Sequence, residues 1–229
     1  MFPVSHLTRP PPEAFKSQIL QMVVDYLSDI SSLAIMPGNA LYNLYQYSIG
    51  YEVHLYMEAM AGDKALNVEL LIAHDPDDPE VVVGFTLYLP AVEDPHACSI
   101  AYMAVRTEYR RQGVARLMID KVAERYAQVE LNCVIAKVPW FEALGLQVIG
   151  TKGPHVCMNS QGRAIEGHIA VLDAAPIYES LEVRQIHAYL LKQHGGEAMI
   201  EAEKKRDAHL DQMTRQTATF VRDRLPPAI

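Results

Sequence analysis

Hydrophobic and polar positions divide this chain into three regimes. From Glu13 to Ile30, EAFKSQILQMVVDYLSDI places Phe15, Ile19, Met22 or Val23, and Tyr26 or Leu27 at three- and four-residue steps. That spacing predicts an amphipathic helix, and the prolines before it suit a helix start. MPGN marks a break. Asn39 is a candidate cap for a second helix, ALYNLYQYSIGYEVHLYMEAM, which Gly50 could divide. The period then changes. NVELLIAHD (67–75), EVVVGFTLYLP (80–90), CSIAYMAV (98–105) and LNCVIA (131–136) read as strands, with DPDDP and EDPH as turns. Between the last two lies GVARLMIDKVAERYAQ (113–128), with Val114, Leu117, Met118, Val122 and Tyr126 on one stripe. A crossover helix joining two parallel strands explains it most economically.

LQVIG, HVCM and EGHIAVLD predict further strands, the last two joined by a turn at NSQGR (159–163). Beyond Pro176 the helical period returns in ESLEVRQIHAYLLKQ and, after Gly195-Gly196, in a long polar helix from about Glu197 to Leu225. Its sparse apolar stripe could pack on the domain or on a second subunit, which makes a homodimer through the C-terminal helices a candidate assembly. The organisation expected is a domain over residues 1–175 and a helical appendage over 176–229.

The 229 residues suffice for one large domain or for one domain with an appendage. The longest nearly apolar run, Val81 to Val92, is far short of the roughly 20 residues a bilayer span needs. MFPVSHLTRPPPEAF lacks an apolar signal core and reads as an ordered or loose lead-in. Three well-separated cysteines fit free thiols in a reducing compartment. A cytoplasmic protein with no membrane partner is the expectation. The net charge of -8 argues against a nucleic-acid track and for a cationic partner. His96-x-Cys98 and His155-x-Cys157 each share a strand face, but their strands are not expected to be neighbours, so no metal is expected.

Against that acidic balance, RTEYRRQGVA gathers positive charge after a strand and at a helix start. The unpaired N–H groups of a helix start, together with its dipole, favour an anion. Gly113 permits close approach, Val114 and Ala115 keep the first turn slim, and Arg106, Arg110, Arg111 and Arg116 ring it. The set suits a phosphate or pyrophosphate, and the bland alternative is a solvated basic turn. Neither the dinucleotide glycine fingerprint nor the nucleotide-triphosphate loop fits the spacing.

The stretch resembles the GCN5-related N-acetyltransferases, whose signature Gln/Arg-x-x-Gly-x-Gly/Ala reads here Arg110-Arg111-Gln112-Gly113-Val114-Ala115. The resemblance runs through LMIDKVAERY and LNCVIA to WFEALGLQVIG, covering roughly 65–172. It implies the mixed α/β GNAT fold, a central twisted sheet flanked by helices, here with extra C-terminal helices. It also implies acetyl-CoA as cosubstrate and an amine-bearing acceptor. Carried over, the pyrophosphate meets the amides of Arg111, Gln112, Gly113, Val114 and Ala115, with the Arg110 and Arg116 side chains nearby. The pantetheine arm pairs with Met103, Ala104 and Val105, and the Val105 amide polarises the thioester carbonyl.

The family's usual acid, a tyrosine before Glu-x-Leu-Gly, is Phe141 here, and the position of a frequent carboxylate base is Ser99. Glu93 and Tyr102 are the substitute candidates, each with a plain structural alternative: a solvated turn for Glu93, core packing for Tyr102 and a strand hydroxyl for Ser99. By the same analogy Tyr42, Tyr45 and Tyr51 border the acceptor groove, although an aromatic stripe at helical spacing equally packs on a sheet. The expected function is direct acetyl transfer to a primary amine of a small molecule or peptide. A weakly catalytic acyl-CoA-binding regulatory or assembly protein is the other reading.

Overall fold

A computed structural model describes residues 1–30, 35–62 and 66–225. The strands are β1 (Val4–Leu7), β2 (Glu69–His74), β3 (Val82–Pro90), β4 (Ala97–Val105), β5 (Gln128–Cys133), β6 (Gln147–Lys152) and β7 (His155–Asn159). The helices are α1 (Glu13–Asp25), α2 (Leu27–Ile30), α3 (Tyr42–Ala59), α4 (Val114–Ala123), α5 (Val138–Glu142), α6 (Ala175–Tyr178), α7 (Leu181–His194) and α8 (Gly196–Arg222). Strand order is β1-β2-β3-β4-β5-β7-β6, and every pairing is antiparallel except β4 with β5. The crossover expected through residues 113–128 is α4.

Nearly every residue of β3 is buried, because helices cover both faces of the central sheet. Period-two alternation splits the core accordingly. Leu70, Ile72, Phe85, Leu87 and Ala104 face α1, α3 and α7, whereas Leu71, Tyr88, Ile100 and Val105 face the side that α4 covers.

Several local readings change. VSHL in the lead-in is edge strand β1, in register from Val4 with Ala73 to Leu7 with Leu70. The first helix breaks at Tyr26, whose hydroxyl accepts the Thr107 N–H at 2.9 Å. α3 runs unbroken through Gly50, which packs against Val24 of α1. EGHIAVLD is not a strand. β7, its expected hairpin partner, has both of its edges taken by β5 and β6; the segment's His168 carbonyl accepts from Val92 and its Leu172 N–H donates to Tyr56.

α7 packs on α3 of the same chain. α8 begins with Met199 and Ala202 in the core beside α3 and ends with Thr217 and Val221 over β6 and β7. The buried Thr217 hydroxyl donates to the Pro154 carbonyl at 2.9 Å, fixing the Gly153-Pro154 turn that joins β6 to β7. Cys98 of β4 and Cys157 of β7 have β5 between them.

Candidate active site

β4 carries an extra residue. Leu87 pairs with Tyr102 but Tyr88 pairs with Ile100, so Ala101 bulges. The parallel pairing with β5 ends at the bulge, Ile100 opposite Leu131, and β5 thereafter pairs with β7 alone. Residues 101–105 therefore have no strand partner on that side among the described residues.

The phase of the β3 ladder decides what this gap presents. Arg106 N–H donates to Val83 O at 2.9 Å, so in the alternating antiparallel pattern Tyr102 and Ala104 exchange bonds with β3. The main-chain groups of Met103 and Val105 point the other way, into the gap. The Arg110 Nε donates to Val105 O at 3.0 Å, which occupies that carbonyl. Val105 N–H and both polar groups of Met103 have no partner among the described residues, whereas Ala104 contributes only its side chain to the wall.

Beyond β4 a single turn (Thr107–Tyr109) leads to Arg111 at φ 63° and Gly113 at φ 86°, two left-handed residues around an ordinary Gln112. Such a sequence curls consecutive N–H groups around one concavity. The first helical bond of α4 is Leu117 N–H to Gly113 O, so the amides of Val114, Ala115 and Arg116 precede any intrahelical partner. Gln112 folds its side chain back onto Glu108 O at 2.8 Å, and Arg111 extends without a partner among the described residues.

Gap and turn open into one cavity of about 560 Å3. Its other walls are Tyr26, Asp29 and Ile30 from the first helices, Asn132 and Cys133 from β5, Lys137, Trp140 and Phe141 beyond it, and His155 of β7. Lys137 donates to Asp29 O at 2.9 Å, and Arg110 reaches Asp29 Oδ2 at 3.1 Å while lying 4.6 Å over the Tyr26 ring. α2 is thereby tied across the gap. Burial pushes the Cys133 thiol up to about 12, against the pull of Lys137. Burial, and then the Lys137 charge, hold His155 below its ordinary value. Phe141 is buried, edge-on to Trp140 at 4.7 Å, and offers no proton.

Met103, Ala104, Val105, Arg110, Arg111, Gly113, Val114, Ala115 and Arg116 all line this cavity. The remaining sequence candidates lie elsewhere. Ser99 sits in the closed part of the sheet, between Leu89 and Glu130. Tyr102 faces α3, where burial and then the charge of its partner Glu52 hold its phenol well above the ordinary value; its ring lies 6.3 Å from Tyr56. Glu93 accepts the His168 N–H at 2.9 Å and pairs with its ring at 2.7 Å, the first bond chiefly lowering its pKa. Tyr42 meets Ser28, Tyr45 is buried between Tyr178 and the guanidinium of Arg206, and Tyr51 stacks on Tyr47 and His54. None of these three lines the cavity. Sequence reasoning did not assign Lys137 or His155 to the site, because chain folding alone brings them to it.

Residues 40–141 match the model of the acetyltransferase (GNAT) family. The resemblance carried by the RRQGVA turn therefore holds, and the matched segment runs from before α3 through the turn into α5. No curated protein matches the chain. Among solved structures, the PaiA N-acetyltransferase of Thermoplasma acidophilum in complex with coenzyme A is 10% identical, with a TM-score of 0.50. That likeness covers 69% of this chain and 98% of the other. A GCN5-related N-acetyltransferase from Kribbella flavida is 21% identical over 68% of this chain and 96% of its own, with a TM-score of 0.46. At such identities the likeness to the first of these speaks for the fold, a GNAT fold with a seven-stranded mixed sheet.

Proposed function

We propose that the protein is an acetyl-CoA-dependent N-acetyltransferase that moves the acetyl group directly to a primary amine of a small molecule or peptide. One observation carries the reading. The same cavity joins a strand with three main-chain groups, at Met103 and Val105, that have no partner among the described residues to a turn of helix-start amides ringed by arginines. An extended amide-bearing arm completes the first as a substitute strand, and a pyrophosphate suits the second. Val105 N–H is the donor for the thioester oxygen, where it stabilises developing negative charge. The Arg111 and Arg116 guanidiniums add charge-assisted bonds to the phosphates.

Direct transfer is favoured over an acyl-enzyme because the cavity thiol, Cys133, is buried and its pKa of about 12 keeps it protonated at neutral pH. An amine acceptor is supported by the Glu52 carboxyl on the α3 side of the sheet, next to Tyr102 and two β4 positions from the cavity wall at Ala104. Burial raises its pKa, with the Tyr102 hydrogen bond opposing. We assign residues 1–175 to the cofactor-binding domain and 176–229 to the helical addition, of which 226–229 lie outside the described residues.

Phe141 favours one competing reading, an acyl-CoA binder with little turnover. The two are separated by incubating the chain with acetyl-CoA and pooled polyamines, aminoglycosides, amino acids and peptides while following free thiol. Acceptor-dependent release is expected. Tight acetyl-CoA binding without it leaves only the binder, and no binding removes both.

A further inference from the structure

We infer that His155 is the proton carrier of the transfer, taking a proton from the attacking amine and returning it to the departing sulfur. The inference rests on the acetyltransferase reading above and gives its cavity the acid–base group that Phe141 cannot supply.

His155 is the first residue of β7, one position beyond the Cys133–Val156 pair. Period-two alternation turns Val156 and Met158 into the core beneath α5, so His155 projects to the opposite face, the one occupied by α1–α3. The arginine turn, α4 and Phe141 lie on the other face. A nucleophile that meets an arm lying in the gap must approach from the side the turn does not occupy, and His155 is on that side.

Its surroundings leave the imidazole available. Neither ring nitrogen has a hydrogen-bond partner among the described residues, although the side chain lines the cavity. The charged groups facing it are Lys137 from the turn after β5 and Lys152 across the hairpin; Cys157 follows two residues on along the same face with Glu130 beyond it, while Cys133 lies on the other face with Val156. α5 turns only Trp140 and Phe141 to the cavity, and the carboxylate in the wall, Asp29, is engaged by Arg110. Burial, and then the Lys137 charge, hold its pKa below the ordinary value and favour the neutral ring, the form that accepts a proton. The turn that positions it is short and pinned by Thr217.

The step balances. The amine enters neutral, having left one proton to solvent. As its nitrogen bonds to the acetyl carbon it gives a second proton to the imidazole. The carbon–sulfur bond then breaks with its electron pair on sulfur, and the imidazolium protonates that sulfur. The products are the N-acetylated amine and the free thiol, with His155 neutral again.

The test is a nitrogen-edited NMR titration of the full chain, in which His155→Gln identifies the ring among the nine histidines. Acetyl-CoA is expected to shift the His155 ring signals and midpoint, whereas a fragment lacking the pantetheine arm leaves them in place. With an amine from the pool, H155Q is expected to lower kcat by about 10²–10⁴-fold at unchanged acetyl-CoA KM and to abolish the acidic limb of the pH–rate profile. The exposed control His194→Gln retains both. Acetyl-CoA binding with unmoved His155 signals, or a wild-type pH profile in H155Q, overturns the inference and spares the functional reading. Absence of binding, or binding without turnover on any amine, overturns the transferase reading and the proton role with it.

Discussion

Replacing Gly113 by alanine separates what the turn does for the fold from what it does for a ligand. Gly113 holds φ 86° at the start of α4, a conformation that costs a residue with a side chain about 1–2 kcal/mol. A Cβ built there meets no atom within 4 Å, so conformational strain is the whole penalty in the free protein. For a chain of this size that corresponds to a drop in Tm of about 2–8 °C. The space the methyl fills belongs to the cavity, next to the amides of Val114 and Ala115. A phosphate seated on those amides must retreat, and a loss of about 1.4 kcal/mol is already tenfold in affinity. Thermal melting and calorimetric titration with acetyl-CoA read the two effects on one sample. A lowered Tm with affinity unchanged within about twofold would show that Gly113 only ends a turn, and the anion seat would have to be sought elsewhere.

Glu69 of β2 accepts hydroxyls from Tyr88 at 2.8 Å and Tyr126 at 2.9 Å and pairs with His6 at 2.7 Å. Burial alone would raise its pKa, but the bonds from Tyr88, His6 and Tyr126 prevail and hold it below the ordinary 4.5. Its stabilising contribution is therefore complete above that value and disappears as pH falls through the lowered one. Glu69→Gln is expected to cost about 1–3 kcal/mol in urea unfolding at neutral pH, with the difference closing in acid; an equal penalty at both ends would refute the account. Thr217→Val keeps the shape at a site only 1% exposed and orphans the Pro154 carbonyl, so a similar loss of about 1–3 kcal/mol is expected by chemical denaturation. Wild-type stability in that variant would mean that the hairpin does not depend on α8.

The strand–turn–helix unit around RRQG was legible because its signals are local. CSIAYMAV is a short, almost wholly apolar run, RRQG interrupts, and VARLMI resumes with the helical period within a few residues. The gap beside it is not local. It requires Ala101 to bulge and β5 to leave β4 for β7, and nothing in either segment's composition signals that exchange of partners. The contacts of Arg110 were hidden for a related reason. Charge near a phosphate site suggests a phosphate ligand, while its guanidinium is spent on Val105 O, Asp29 and the face of Tyr26. Tyr45 illustrates the limit of periodicity, which places it on a helix face but cannot say that Arg206, some 160 residues later, waits there. Glu93 was chosen as the nearest carboxylate in the chain, and its partner His168 comes from a segment that sequence read as a strand.

The bond from Arg110 to Val105 O also works as a ruler. A free strand edge would accept an extended arm in several registers, each displaced from the next by two residues. With the Val105 carbonyl already taken, the edge offers one complete donor–acceptor pair at Met103 and a lone donor at Val105. On the proposed function, an arm anchored by its phosphates at Arg111–Ala115 would reach the bulge at one fixed length. Lengthening or shortening the arm by a single carbon places its reactive end past Val105 N–H or short of it. On that proposal, the length of the ligand would be gauged by a carbonyl that Arg110 already holds.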